Sequence, residues 1–137
     1  MGLEAAIVTT VEANAGLTAL LGSSPDTRFY PVVSAQRRTY PCIEYRVVSE
    51  TREEAMGTTS TIVRRRVEFQ IHDNAAAAYL SVVALSAALV LCFDRFSGTV
   101  GSFVIHEAFI DNVTDLAYDL DAAVYTRVVD INFACGA

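Results

Sequence analysis

The 137-residue chain contains no lysine and no tryptophan, and its ten cationic side chains are all arginine. The lack of lysine excludes a P-loop, whose lysine contacts phosphate, and a Schiff base, which forms on a lysine amine. Charged residues make up only 19% of the chain, and the net charge is −6. This acidic balance argues against broad nucleic-acid binding, which depends on neutralising phosphates.

Cysteine is also scarce. The chain has Cys42, Cys92 and Cys135, an odd number without a CxxC spacing. This pattern argues against a disulfide framework or a zinc knuckle, and we expect three small apolar side chains instead. The first residues lack the basic segment of a signal peptide, so none is expected.

Hydrophobic residues are plentiful, at 53% of the chain with a mean hydropathy of +0.35. The longest run without a charge covers the twenty residues 74–93, which is about the length of a membrane-spanning helix. This run is rich in weakly apolar alanine, and no basic cluster marks a cytoplasmic end. We therefore expect a buried helix in a protein without a membrane segment.

The periodicity of apolar residues predicts a series of helices and strands. Helical spacing covers 3–13 and, after a break, a short turn over 17–21. Alternation of apolar and polar residues predicts strands over 41–50 and 61–72, and a polar loop over 51–60 is expected to be a flexible hairpin loop. The remaining predictions are an extended piece at 28–33, a helix over 74–93, strands over 103–110 and 123–134, and an acidic loop over 111–121.

This order of elements predicts an α+β fold in one domain that spans 1–137. The expected architecture is an antiparallel sheet of about four strands with two helices packed on one face. The opposite face of the sheet would then carry the arginine and glutamate side chains of the strands.

No pattern in the chain indicates catalysis. His72 and His106 stand apart from any metal-binding spacing, and no G-x-S-x-G sequence occurs. The acidic loop lacks the glycine and the distal glutamate of a calcium loop. We therefore predict no catalytic residue, no cofactor and no metal site, and a protein that is not an enzyme.

The run Arg64–Arg65–Arg66 is the most informative charge feature. Strand alternation places Arg64 and Arg66 on one face and Arg65 on the other. Glu44 and Arg46 on the neighbouring strand are then expected opposite them as cross-strand pairs. Three interpretations stay open for this face: a solvated or salt-bridged surface, an interface between subunits, or a contact with DNA.

Several short motifs, taken in order, resemble a known family. They cover nearly the whole chain: the opening helix with Asn14–Gly22, then Arg28–Pro31, Tyr40–Tyr45, Arg66–Ile71, Phe96–Gly98, and Asp115–Asp119 leading into Val124–Val128. In this order and spacing the sequence resembles the tail-completion or tail-terminator proteins of long-tailed bacteriophages, which also occur in prophages and gene-transfer agents. The acidic turn before the last strand is the most distinctive of these pieces.

The resemblance implies a structural role in the virion, at the head–tail junction. Such proteins form a homo-hexameric ring that caps the tail tube, stops its growth and offers a face to the head connector or head-closure protein. DNA passes through the lumen without specific binding. The protein would be made in the host cytoplasm and act by self-assembly and docking.

The charged residues of the predicted hairpin are the expected inter-subunit or docking contacts. They are Glu44, Arg46, Arg52, Glu53, Glu54, Arg64 and Arg66. A head-closure or adaptor ring of the same junction is the nearer alternative. A small-molecule-binding or enzymatic α+β domain is more distant, and its sign would be a deep pocket lined by His72 or His106.

Overall fold

The computed structural model describes residues 2–22, 28–31, 39–54, 61–74, 78–121 and 123–136. These residues form three helices and six strands. In chain order they are α1 (Leu3–Ala13), α2 (Ala15–Leu21), β1 (Phe29–Pro31), β2 (Cys42–Glu54), β3 (Thr61–Asp73), α3 (Ala78–Phe93), β4 (Gly98–Val100), β5 (Phe103–Asp115) and β6 (Tyr125–Gly136).

All six strands belong to one mixed sheet with the order β1-β2-β3-β6-β5-β4. β1 is parallel to β2, and the other neighbouring pairs are antiparallel. The sheet curls into a half-barrel. β3 and β6 are its two central strands, and the short strands β1 and β4 are its ends.

The predicted sheet of about four antiparallel strands with two helices is therefore wrong. The expectation missed β4, which forms a hairpin with the start of β5 around Gly101 and Ser102; Gly101 takes a positive φ of 61° there. It also missed the parallel pairing of β1 with β2, and it counted two helices, although the short helical turn predicted over 17–21 lies within α2. Three-residue strands and a seven-residue helix carry too little periodicity to stand out in a sequence.

Strand lengths also differ from the prediction. β2 continues to Glu54, so the first four residues of the expected 51–60 loop are strand, and 55–60 lie outside the described residues. β5 continues to Asp115, which takes the first part of the expected acidic loop into the sheet. Polar residues extend both strands because one side chain in two on an antiparallel sheet can face solvent.

Asn14 separates the first two helices and caps the second. Its side-chain oxygen accepts a hydrogen bond from the backbone N–H of Leu17 at 3.0 Å. The same residue ends α1, where its own N–H donates to the carbonyl of Val11. One asparagine thus ends the first helix and satisfies one of the free amides at the start of the second.

The core lies between the helices and one face of the sheet. α1 contributes Ile7 and Val11, and α3 contributes Leu85, Leu89 and Phe93, all almost fully buried. The sheet contributes alternate side chains of its central strands to the same cluster, namely Val67, Phe69, Ile71, Val129, Ile131 and Phe133. Phe93 stands at the centre, 5.9 Å from the ring of Phe69 and 5.5 Å from that of Phe133.

α3 is apolar on its outer side as well. Leu80 is 70% exposed and Leu91 is 83% exposed, and the exposed positions between them include Ala84 and Ala87. In the part of the chain that the structure describes, no helix is long and apolar enough to cross a membrane.

Two leucines of α3 test this packing directly. Leu89→Ala removes a fully buried side chain, and we expect it to lower the free energy of unfolding by about 2–5 kcal/mol. Leu91→Ala, on the exposed side of the same helix, is the matched control and should change it by less than about 0.5 kcal/mol. Urea unfolding followed by circular dichroism measures both, and equal effects would contradict the assigned orientation of α3.

Candidate functional site

The face of the sheet opposite the helices carries polar side chains on its central strands. We call it the polar face and define it by Glu44, Arg46, Arg66, Glu68, Gln70, His72, Thr126 and Asp130. These residues alternate along β2, β3 and β6 with the core residues, so that they point away from the helices. Several are nevertheless well buried, which makes their pairing important.

One corner of the polar face holds a buried histidine between a carboxylate and a hydroxyl. His72 Nδ1 lies 2.8 Å from Thr126 Oγ1, and His72 Nε2 lies 3.5 Å from Glu44 Oε1. Glu44 is only 4% exposed and His72 only 7%. The three side chains connect β2, β3 and β6, so they tie three strands together on the side away from the core.

The centre of the polar face is a row of charges. Arg46 pairs with Glu68 at 3.4 Å, and Glu68 lies opposite Asp130 on β6. Burial raises the pKa of the Asp130 carboxyl above its usual value; Glu68 and Asp111 add to this rise, and Arg66 opposes it. Asp130 Oδ1 and Arg66 Nε are buried and make no hydrogen bond to any described group.

The register corrects the expected pairing of the hairpin charges. Glu44 lies opposite Gln70, and Arg46 lies opposite Glu68, so neither faces Arg64 or Arg66. A bulge between Val47 and Ser49 shifts the register further along. Alternation alone predicted which side chains share a face, but the exact register also depends on the turn and on the bulge, which leave no clear signal in the sequence.

The structure does not bring the seven predicted contact residues into one site. Arg64 pairs with Glu53 at 2.9 Å near the far end of the hairpin, and Arg52 lies 3.5 Å from Glu50. Arg46 and Arg66 lie on the polar face, and Glu44 is buried beside His72. Glu54 ends β2, and its side chain is outside the described residues.

A cavity of about 720 Å³ lies on the helix side of the sheet. It is lined by the start of α1, by Val47, Phe103 and Val104, and by the ion pair of Arg65 with Glu50 at 3.2 Å. Neither His72 nor His106 lines it, so it lacks the feature that we set as the sign of an enzymatic or ligand-binding domain.

The cysteines lie in the protein interior, as expected. Cys42 and Cys135 are buried, and Cys92 is half-buried. Burial raises the pKa of the Cys92 thiol to about 11, although a hydrogen bond with Asn14 opposes the rise. Such a thiol is protonated at neutral pH, so it is a poor nucleophile and a poor metal ligand.

An aromatic cluster at one end of the sheet escaped the sequence analysis. The ring of Tyr125 lies 4.5 Å from that of Tyr118 and 6.0 Å from that of Tyr79. Leu116 and Leu120 flank Tyr118 and are 49% and 84% exposed. The signal was the mixture of apolar and acidic residues from Asp115 to Asp121, which the sequence analysis described as an acidic loop without considering its apolar side chains.

The hydrogen bond of His72 gives the first test of the polar face. Thr126→Val keeps the shape of the side chain but leaves the buried His72 Nδ1 without this partner, so we expect a loss of about 1–3 kcal/mol in unfolding free energy. Thr99→Val, an exposed position in β4, is the control and should cost under about 0.5 kcal/mol. Equal values in urea unfolding would contradict the role of this bond.

Asp130 gives a test that depends on pH. Because its pKa is raised in the folded chain, folding favours the protonated carboxyl, and the charged form costs stability as pH rises through the folded pKa. Asp130→Asn should therefore stabilise the folded chain at pH 7, and the gain should vanish below the ordinary aspartate pKa of about 3.9. Thermal unfolding across this range measures it, with the exposed Asp121→Asn as control; a gain that persists at low pH would contradict the assignment.

Comparison with known proteins identifies the fold. A solved chain from the "Virion of native gene transfer agent (GTA) particle" has the same fold, with a TM-score of 0.77. The match covers 98% of this chain and 95% of that chain at 16% sequence identity. No protein-family model and no curated protein matches the sequence. The chain therefore shares, over nearly its full length, the fold of a component of a gene transfer agent virion.

Proposed function

We propose that this chain is a virion structural protein, a tail terminator whose copies form a hexameric ring at the head–tail junction. The observation that carries the proposal is the fold shared with a chain of a gene transfer agent virion over 98% of this sequence. The ordered motifs from Asn14 to Val128 resemble the tail-terminator family independently of that comparison. A fold supports a function only by analogy, so the surface has to supply the mechanism.

The surface suits a subunit that is covered by neighbours. The exposed side of α3 is apolar and uncharged, and depletion of charge is typical of the core of protein interfaces. Exposed leucines at 70% and 83% are unusual on a free monomer and lie on the same helix. A ring requires two different patches on each subunit, because its contacts are heterologous.

In the proposed ring the subunit caps the tail tube on one side and contacts the head connector on the other. The net charge of −6 would keep DNA from adhering as it passes through the lumen, because phosphates are repelled. The role is structural rather than enzymatic. Among the predicted contacts, Arg66 is the best candidate for an inter-subunit partner, since its buried Nε makes no hydrogen bond within the described chain.

The location of the protein in particles tests the proposal. Purified particles from producing cells, labelled with an antibody to this chain and imaged by negative stain, should carry label at the junction and on isolated tails. Label on heads that lack tails would instead indicate the head-closure or adaptor alternative. An absence of label from all particles would contradict a virion role.

Native mass spectrometry tests the ring. We expect a species about six times the 14.8 kDa subunit, alone or after addition of tail-tube protein. Arg66→Glu should reduce this species, whereas Glu12→Arg, a charge reversal at an exposed position of α1, should not. A chain that stays monomeric under both conditions would contradict the ring, and an unaffected Arg66→Glu hexamer would remove Arg66 as a contact.

A further inference from the structure

The two ends of the sheet are only partly covered by their short end strands. β1 pairs with residues 43–45 of β2, and β4 pairs with residues 103–105 of β5. Among the described residues, nothing pairs with the outer side of β5 from Phe109 to Asp115; just before this stretch, the N–H of Arg95 donates to the carbonyl of Ala108. We call 109–115 the open edge of β5. An open strand edge is a template for pairing with another chain.

The backbone groups on this edge can be identified. The N–H of Leu116 donates to the carbonyl of Thr126, so the backbone N–H and C=O of Leu116 point toward β6. The direction of the backbone groups alternates along an antiparallel strand. The backbone N–H and C=O of Thr114 therefore also point toward β6, whereas those of Val113 and Asp115 point away from the sheet. Just before β1, the carbonyl of Arg28 accepts a hydrogen bond from the N–H of Ile43. By the same alternation, the backbone N–H and C=O of Phe29 point away from β2. The backbone N–H and C=O of Phe29 on β1 and of Asp115 on β5 are therefore both directed away from the sheet.

The two edges lie at the same height along the strands, as the rows of paired residues across the sheet show. Following the pairing across the sheet from β1, Tyr30 shares a row with Glu44, Gln70, Val128 and finally Thr114 on β5. In the same way Phe29 shares a row with Asp115. β1 thus lies at the level of the open edge, on the opposite side of the molecule.

The strand directions match as well. β1 and β2 run the same way, β3 is opposite, β6 returns, and β5 is opposite again. A second copy turned about the axis of a ring keeps its strand direction. Its β1 would therefore meet the open edge of β5 as an antiparallel neighbour, with Phe29 and Asp115 as a hydrogen-bonded pair and Tyr30 and Thr114 as the closer non-bonded pair.

We propose that neighbouring copies join edge to edge, with β1 of one copy seated antiparallel beside Val113–Asp115, at one end of the open edge of the next copy. The occupant is a second copy because both halves of the contact, at matched level and direction, lie on one chain. At the same junction, β4 of one copy would face the part of β2 beyond residue 45 in the next copy. The strand pairing places β4 in the same row of the sheet as Arg52, in that part of β2. The contact is heterologous, so it continues from copy to copy until the ring closes.

This inference rests on the proposed ring and specifies how its subunits meet. The outer face of the resulting joint would be continuous with the polar face, since Tyr30 and Thr114 lie in the same row as Glu44 and Gln70. The contact adds backbone hydrogen bonds to the apolar burial expected from α3.

A disulfide between copies tests the pairing. Non-bonded cross-strand positions place Cβ atoms about 4.5–5.5 Å apart, close to what a disulfide needs. A Tyr30→Cys and Thr114→Cys double variant, oxidised and run on a non-reducing gel, should give a ladder of multiples that reduction removes. Tyr30→Cys with Thr9→Cys, on the exposed side of α1, is the matched control and should give no ladder.

Asp115 gives a second, independent test. Asp115→Pro removes the outward N–H without removing a hydrogen bond to β6, and it should raise the concentration needed for assembly roughly tenfold. Asp115→Ala is the matched control. It loses the ion pair with Arg127 at 3.5 Å, as the proline variant does, but it keeps the outward N–H, and it should therefore assemble as the parent does. Circular dichroism confirms that both variants fold.

The outcomes separate this joint from the proposed function. A hexamer that shows neither the ladder nor the effect of proline would overturn the edge-to-edge joint and leave the ring intact. A ladder that stops at two copies would overturn it as well, because it would indicate a symmetric dimer. A parent chain that remains monomeric, with and without tail-tube protein, would overturn both.

Discussion

The pairing of β3 on both sides along its whole length is the constraint on which the rest of the structure depends. Its thirteen residues face β2 on one side and β6 on the other. Since side chains alternate on a strand, this pairing places Val67, Phe69 and Ile71 toward the helices and Glu68 and Gln70 away from them. The division into a core face and a polar face follows from that single register.

The polar face explains why a chain with so few charges keeps several of them poorly solvated. His72 and Glu44 hold three strands together, and Arg46 holds Glu68. Arginine suits these positions because its planar group forms several directed hydrogen bonds while its stem packs against neighbours. Four arginines pair with a carboxylate on a neighbouring strand, namely Arg46, Arg64, Arg65 and Arg127, and Arg52 pairs with Glu50 on its own strand.

The sequence predicted the long elements well and the short ones poorly. The helix over 3–13 and the strands that contain 61–72 and 103–110 were expected from their periodicity, and the structure has them. β1 was expected only as an extended piece at an edge, and its parallel partner was not foreseen, because parallel pairing leaves no local signal. The strand number, the helix number and the register of the hairpin depend on tertiary contacts, so they had to come from the structure.

The sequence predicted that charged side chains would share a face of the sheet, but not which of them contact each other. Alternation in Arg64–Arg66 correctly indicated that charged side chains share a sheet face. It could not show that Glu44 is buried beside His72, because that contact depends on three strands from different parts of the chain. The cluster of Tyr79, Tyr118 and Tyr125 has the same origin, since its members come from α3, the acidic turn and β6.

The order of strands also has a consequence for the time course of folding. The β2–β3 and β5–β6 pairs join neighbours in the chain, whereas β3 and β6 join residues more than fifty positions apart. The two hairpins can form early, and their docking through β3 and β6 is the slow, non-local step. The three-residue strands β1 and β4 can add only to a sheet that already exists. The two borders of the sheet are therefore completed last, after the core between its central strands and the helices has formed.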